Sequence, residues 1–178
     1  RNKVLLGEDL SQSIEGMMQD YIDAALPLYL NGQYPEEWDL TGLALHFKDT
    51  FLSGNEFASM SQEEIMSLTP EKVREILYDT LHLLYKSKEG SVSPPIMRSV
   101  ERFILLRVID SYWVDHIDLM SHFKNEVGLM AYGQIDPLTE YKKEGYNMFT
   151  EMLGLIKRDF ISHLCKYEAS GTFTVNIS

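Results

Sequence analysis

Along most of this chain apolar residues fall at steps of three and four, the spacing that gathers them on one face of an α-helix. Ile14, Met17, Met18, Tyr21, Ile22, Ala25, Leu26 and Tyr29 make the first such stripe, with Asp9 as a candidate cap and Asn31-Gly32 as its stop. A shorter helix is predicted to open at Pro35-Glu36-Glu37-Trp38 and to carry Leu40, Leu43 and Phe47. Gly54-Asn55 marks a loop. Ser61 and Glu64 have the spacing of a capping box. Thr69-Pro70 opens a further helix whose face is Val73, Ile76, Leu77, Leu81 and Leu84, and the stretch from Gly90 to Pro95 reads as a clear break.

Two long runs follow. The first carries Phe103, Ile104, Val108, Trp113, Ile117, Met120 and Val127; the second carries Leu138, Tyr141, Phe149, Met152, Leu153, Ile156, Phe160 and Leu164. Asp136-Pro137 starts the second, with Asp as N-cap and Pro at the first helical position. Each stripe needs a partner, and the nearest is the other, so the pattern predicts an antiparallel two-helix hairpin with a short loop at its tip. Helices of about 30 residues would be about 45 Å long. Trp113, Ile117, Phe149 and Met152 are expected in the buried seam, where truncating Phe149 to Ala would cost roughly 3–5 kcal/mol. Residues 1–6 carry no start signal and read as the end of a longer helix. Residues 170–178 lose the helical pattern and read as extended or disordered. The fold class expected throughout is all-α.

Composition narrows the function classes. The 178 residues are 44% hydrophobic, enough for one good core or two small ones. The net charge of −11 is unevenly placed: residues 1–95 hold 16 acidic and 7 basic side chains, residues 96–178 hold 11 and 9. Neither part has a basic stripe, which argues against nucleic-acid binding. No secretory segment is visible near the first residue and no window approaches 18 uncharged apolar residues, so the chain is expected to be soluble and intracellular. Cys165 is the single cysteine, so no internal disulfide forms, and a packing role is the expectation for it.

Catalytic motifs are missing from the sequence. It contains no Gly-x-x-x-x-Gly-Lys-Ser/Thr loop and no Gly-x-Gly-x-x-Gly before a helix. No Ser or Cys stands beside a plausible His and acid. Asp118 and His122, four residues apart, could share a helix face as zinc ligands do, with Asp115 a less well directed third. The plainer reading packs Trp113 and His116 in the base of the hairpin and leaves the Asp residues solvated; neither a metal nor a catalytic site is assigned. Leu129, Met130, Tyr132 and Ile135 form an apolar cluster at the predicted tip, and such clusters on projecting elements usually mark contact surfaces. A tyrosine grips apolar groups while its hydroxyl tolerates water, and methionine adapts to varied partners. The alternative is a loop tyrosine packed back on the hairpin.

The same residues carry a resemblance. Leu106-Arg107-Val108-Ile109-Asp110, Trp113, Asp115-His116, Ala131-Tyr132-Gly133-Gln134, Asp136-Pro137, Glu140-Tyr141-Lys142 and Met148-Phe149 resemble the two-helix finger of SecA, the motor ATPase of bacterial protein export. Upstream, Arg1-Asn2, Gly7-Glu8-Asp9-Leu10 and Pro35-Glu36-Glu37-Trp38-Asp39-Leu40 resemble the entry to that family's helical wing. The match covers nearly the whole chain in order. It implies the end of a scaffold helix over 1–12, a helical wing over 13–95, a two-helix finger over 96–168 and an irregular tail over 169–178.

By the same resemblance the finger enters the cytoplasmic mouth of the SecY channel, and Leu129, Met130, Ala131, Tyr132, Gly133 and Gln134 contact channel and translocating polypeptide, Tyr132 foremost. The implied partners are the SecY complex, unfolded preprotein and the motor domains of the parent protein. ATP and magnesium belong to those motor domains, and no cofactor to this segment. The implied location is the cytoplasm, peripheral to the plasma membrane. The tip departs from the usual family pattern: Phe123-Lys124-Asn125-Glu126-Val127 stands where members commonly read Leu-Arg-Gln-Gly-Ile, Met130 where an Arg is common, and Ile135 where a Lys is common. Two positive charges are lost and a negative one is gained, as in an accessory paralogue or a divergent lineage. The rival class is a free-standing helical adaptor that binds a partner helix without a motor.

Overall fold

The computed structural model describes residues 10–130 and 136–168, and for residues 128–130 the backbone alone. The expectations for residues 1–9, including the Asp9 cap, and for 169–178 lie outside the described residues. Six α-helices follow in order among the described residues: α1 Ser11–Tyr29, α2 Leu40–His46, α3 Gln62–Met66, α4 Pro70–Val92, α5 Pro94–Met130 and α6 Pro137–Lys166. A single 3-10 turn, Pro35–Glu37, precedes α2, and no described residue lies in a strand. The fold is all-α.

Local signals set most of these boundaries. At α3, Ser61 Oγ accepts from Glu64 N at 3.3 Å while the Glu64 carboxylate accepts from Ser61 N at 2.7 Å, satisfying two orphan donors reciprocally. Thr69 Oγ1 accepts from Lys72 N at 3.2 Å to open α4, with Pro70 at the position where its missing N–H costs nothing. The helix predicted from Pro35 is broken in two. Pro35–Glu37 closes on itself, Trp38 returns to extended backbone, and the true start of α2 is Asp39, whose carboxylate accepts from Gly42 N at 2.7 Å. Trp38 Nε1 donates to the Gly32 carbonyl at 3.0 Å, and a Cβ at position 32 would sit 2.4 Å from Glu37 Cβ, so the turn requires glycine there.

The break between Gly90 and Pro95 is narrower than its composition suggests. α4 runs through Gly90 to Val92, and one residue, Ser93, separates it from α5. Gly90 and Ser91 carry helix well enough when the flanking turns are packed, and the pair of prolines enforces the break.

α1 packs along both α4 and α6, and α5 runs beside α6 over most of its length. Ile14, Met18 and Ile22 of α1, Phe47 after α2, Leu77 and Leu81 of α4, Met97 and Ile104 of α5, and Phe160, Ile161 and Leu164 of α6 are fully buried in one continuous core. Leu52 and Phe57 bring the loop after Phe47 into the same core. Ion pairs Arg74–Asp23 (2.5 Å) and Lys157–Asp20 (2.6 Å) tie α1 to α4 and α6, but at half-exposed positions such pairs stabilise by no more than about 1 kcal/mol. Within α5 the core ends at Val108, with Ile109 and Tyr112 packed at its edge. Beyond Tyr112, α5 continues for 18 residues, which at 1.5 Å per residue extends the hairpin about 27 Å from the core.

Candidate functional site

The projecting hairpin begins its return at Asp136. Its carboxylate accepts from Thr139 Oγ1 at 2.5 Å and from Leu138 N at 3.3 Å, and Pro137 occupies the first helical position. The Thr139 hydroxyl, then the Leu138 N–H, hold the Asp136 carboxyl below its ordinary value, so the cap is charged at neutral pH. Antiparallel packing then runs along a thin seam. Phe123 stacks on Tyr141 with ring centroids 5.8 Å apart and planes 10° from parallel. Farther down, Met120 lies over Gly145, where an added Cβ would come within 2.9 Å of the Met120 Cε. Below that, His116 lies between Phe149, at 6.0 Å, and Trp113, at 5.8 Å. The Tyr112 hydroxyl donates to Asp159 Oδ2 where the seam meets the core. Val127 is buried near the tip, outside the main core.

This seam departs from the expected one towards its base, while Met120 and Val127 of the predicted stripe lie in it as the spacing implied. Trp113, Ile117 and Phe149 are 46%, 51% and 37% exposed, and only Met152, at 6%, is buried as predicted. The seam of α5 runs through Tyr112, His116, Met120, Phe123 and Val127, one position away from the expected Trp113 and Ile117. The reason is that α5 carries apolar residues on more than one side, with Ile96, Phe103, Val114 and Leu119 also exposed, so spacing alone does not select its buried face. On α6, Tyr146 and Leu153 flank Phe149 on the same exposed side.

Of the tip residues, Leu129 and Met130 end α5 as helical backbone, with side chains outside the described residues. Ala131, Tyr132, Gly133, Gln134 and Ile135 lie outside the described residues altogether. Asp115, Asp118 and His122 are all exposed, while His116 is half-buried among aromatic rings. Among the described residues no three His, Cys, Asp or Glu side chains lie together in a way that could hold a metal ion.

Cys165 packs at the edge of the core. Burial pushes its thiol up to about 12, against the weaker opposite pull of Lys88 and Lys166. Because only the thiolate attacks, native Cys165 should alkylate at pH 8 at least about tenfold more slowly than the same cysteine in the urea-unfolded chain. A time course with iodoacetamide checks this, and equal rates would remove the packing role.

Pattern reading also missed two polar arrangements. One is the contact of the Tyr29 hydroxyl with His46 Nδ1 at 3.0 Å, beside a groove of about 460 Å³ that Tyr21, Leu28, Leu155 and Arg158 help to line. Burial, then the Arg158 charge, hold His46 below the ordinary imidazole value, so it is neutral at pH 7. The other is a cluster around Arg98 at the root of the hairpin. Both join residues more than eight positions apart, beyond any helical spacing.

No described helix is long and apolar enough to cross a membrane. Helices α1 to α4 thus share one core with the root of a long two-helix hairpin that leaves it. The family model described as SecA Wing and Scaffold domain matches residues 1–168. The chain belongs to the SecA family. It is 39% identical over 169 residues to Protein translocase subunit SecA 1 of Alkaliphilus metalliredigens, covering 94% of this chain and 19% of that protein. It is 36% identical to Protein translocase subunit SecA of Pelotomaculum thermopropionicum, over 92% of this chain and 18% of that protein. To the same subunit of Syntrophomonas wolfei it is again 36% identical, over 92% of this chain and 20% of that protein. The chain therefore spans about a fifth of the length of the curated SecA relatives it matches.

Proposed function

We propose that this segment serves a SecA-type preprotein translocase as its helical wing (residues 13–95) and two-helix finger (96–168). In this reading α5 and α6 carry the tip residues Leu129, Met130, Ala131, Tyr132, Gly133 and Gln134 to an unfolded polypeptide at the SecY channel. ATP and magnesium act in motor domains of the parent protein, and this segment transmits their motion without nucleotide chemistry of its own. The parent works at the cytoplasmic face of the plasma membrane. The observation that carries the reading is the family match over residues 1–168 together with a hairpin extending beyond its own core. A lever of two paired helices moves as one body when its root moves, and an apolar tip holds polypeptides without selecting among their sequences.

Photocrosslinking tests the contact. A benzophenone amino acid at Gln134 of the parent protein should crosslink to a preprotein arrested in the channel, in a manner dependent on ATP. The same probe at Asp49, on the wing, should not. Crosslinks of equal yield from both positions, or none from Gln134, would remove the tip from the export path.

A further inference from the structure

Where α4 turns into α5 there is no loop, only Ser93, at φ 75° and ψ 147°. That φ favours glycine, and the extended ψ is the one a following proline demands. Immediately beyond it Arg98 reaches across three helices. Its Nη1 donates to Ser11 Oγ of α1 at 2.5 Å; its Nη2 donates to the Tyr85 hydroxyl at 2.7 Å and to Glu89 Oε1, both on α4. Nη2 also lies 3.1 Å from Glu101 Oε1, one turn along its own helix. Tyr85 passes the connection on, donating to the same Glu101 oxygen at 2.7 Å. Glu101 is fully buried, and Glu89 is held from outside by Lys86 at 3.1 Å.

Met97, Ile104, Leu105 and Val108 also hold this end of α5 in the core, by apolar contact. Apolar contact is non-directional and tolerates sliding, whereas a guanidinium fork has fixed geometry. Buried ionic groups are poor stabilisers relative to apolar replacements, and their best-attested use is to specify one arrangement among several. We propose that Arg98, with Glu101 and Tyr85, is a clamp that fixes the angle at which the hairpin leaves α1 and α4, with Ser93 as the hinge it restrains. Angle rather than stability is its contribution. A small rotation at this root swings the far end of a hairpin of this length through a much larger arc, so the clamp governs where the tip points. The inference holds whatever the tip contacts.

The test measures distance in this chain itself. Spin labels at Asp79→Cys on α4 and Asp118→Cys on α5, both exposed sites, are placed in a Cys165→Ala background. The parent should give one narrow distribution. The apolar triple variant Arg98→Met, Glu101→Leu, Tyr85→Phe should remain folded with a similar urea midpoint, yet broaden the distribution about twofold. Arg98→Lys keeps the charge but loses the fork, and should broaden it too while Glu101 stays paired. Ser93→Gly should leave it narrow, because the clamp is intact. Should the triple variant fail to fold, Arg98→Lys decides. Narrow distributions in the variants that alter Arg98 would overturn the proposal, as would broadening by Ser93→Gly alone.

Discussion

Replacing Phe160 by alanine should destabilise the chain by roughly 3–5 kcal/mol, whereas Phe149→Ala should cost only about 1–2 kcal/mol. Both are phenylalanines on the helical stripe of α6, and spacing treats them alike. Phe160 is fully buried among α1, α4 and α5, in the core that holds Ile14, Met18 and Leu81. Truncating it removes a large ring and leaves a cavity that surrounding helices can only partly close. Phe149 packs on His116 but is 37% exposed, so its truncation loses contact area and opens to solvent instead of leaving a closed void. Urea unfolding of the two variants, read as midpoint shifts at unchanged slope, separates them. Equal shifts would mean that the hairpin closes along Phe149 as the periodicity suggested, and the seam through Met120 and Gly145 would be wrong.

The contrast shows which features of this protein are legible in one sequence. Starts of helices are local events, and Ser61, Thr69 and Asp136 each announced one through a side chain that reaches only three residues ahead. Stripes on α1 and α4 were legible because one side is polar, which leaves a single buried face. α5 offers no such asymmetry. An apolar surface on several sides lets more than one seam satisfy the spacing, and the choice between Trp113 and His116 is made by what α6 places opposite: the small Gly145 under Met120 and the flat ring of Tyr141 on Phe123. The stop at Gly90 misled because glycine lowers helix stability by only about 1 kcal/mol, which packing of Tyr85 and Met97 readily outweighs. The Arg98 cluster was illegible for a different reason. It joins α1, α4 and α5, so nothing in the sequence around any one member predicts it. The tip cluster, by contrast, rests on sequence and on the family resemblance.

Tyr132→Ala, restored to the full-length parent, should lose most preprotein export while leaving ATP binding and the helicity of the hairpin intact. The reasoning starts from what a sliding contact requires. A group that moves polypeptides of any sequence must act through bulk and apolar surface, because specific hydrogen bonds would select among cargos and apolar burial does not. Tyr132→Trp should therefore keep substantial export, and Tyr132→Asp should fail like alanine, since a carboxylate cannot be buried against a passing apolar segment without a penalty. Stability should hardly move: α6 has its own start at Asp136 and the seam its own contacts from Phe123 downward, so a tip substitution should stay within about 0.5 kcal/mol. Export and thermal unfolding measured on the same set of variants distinguish the possible roles. Full export by Tyr132→Ala would return the residue to an ordinary loop tyrosine. A lowered melting temperature in the same variant would instead make it a structural residue that closes the hairpin, and the site would then have to be sought along the exposed flank of Trp113, Ile117 and Phe149.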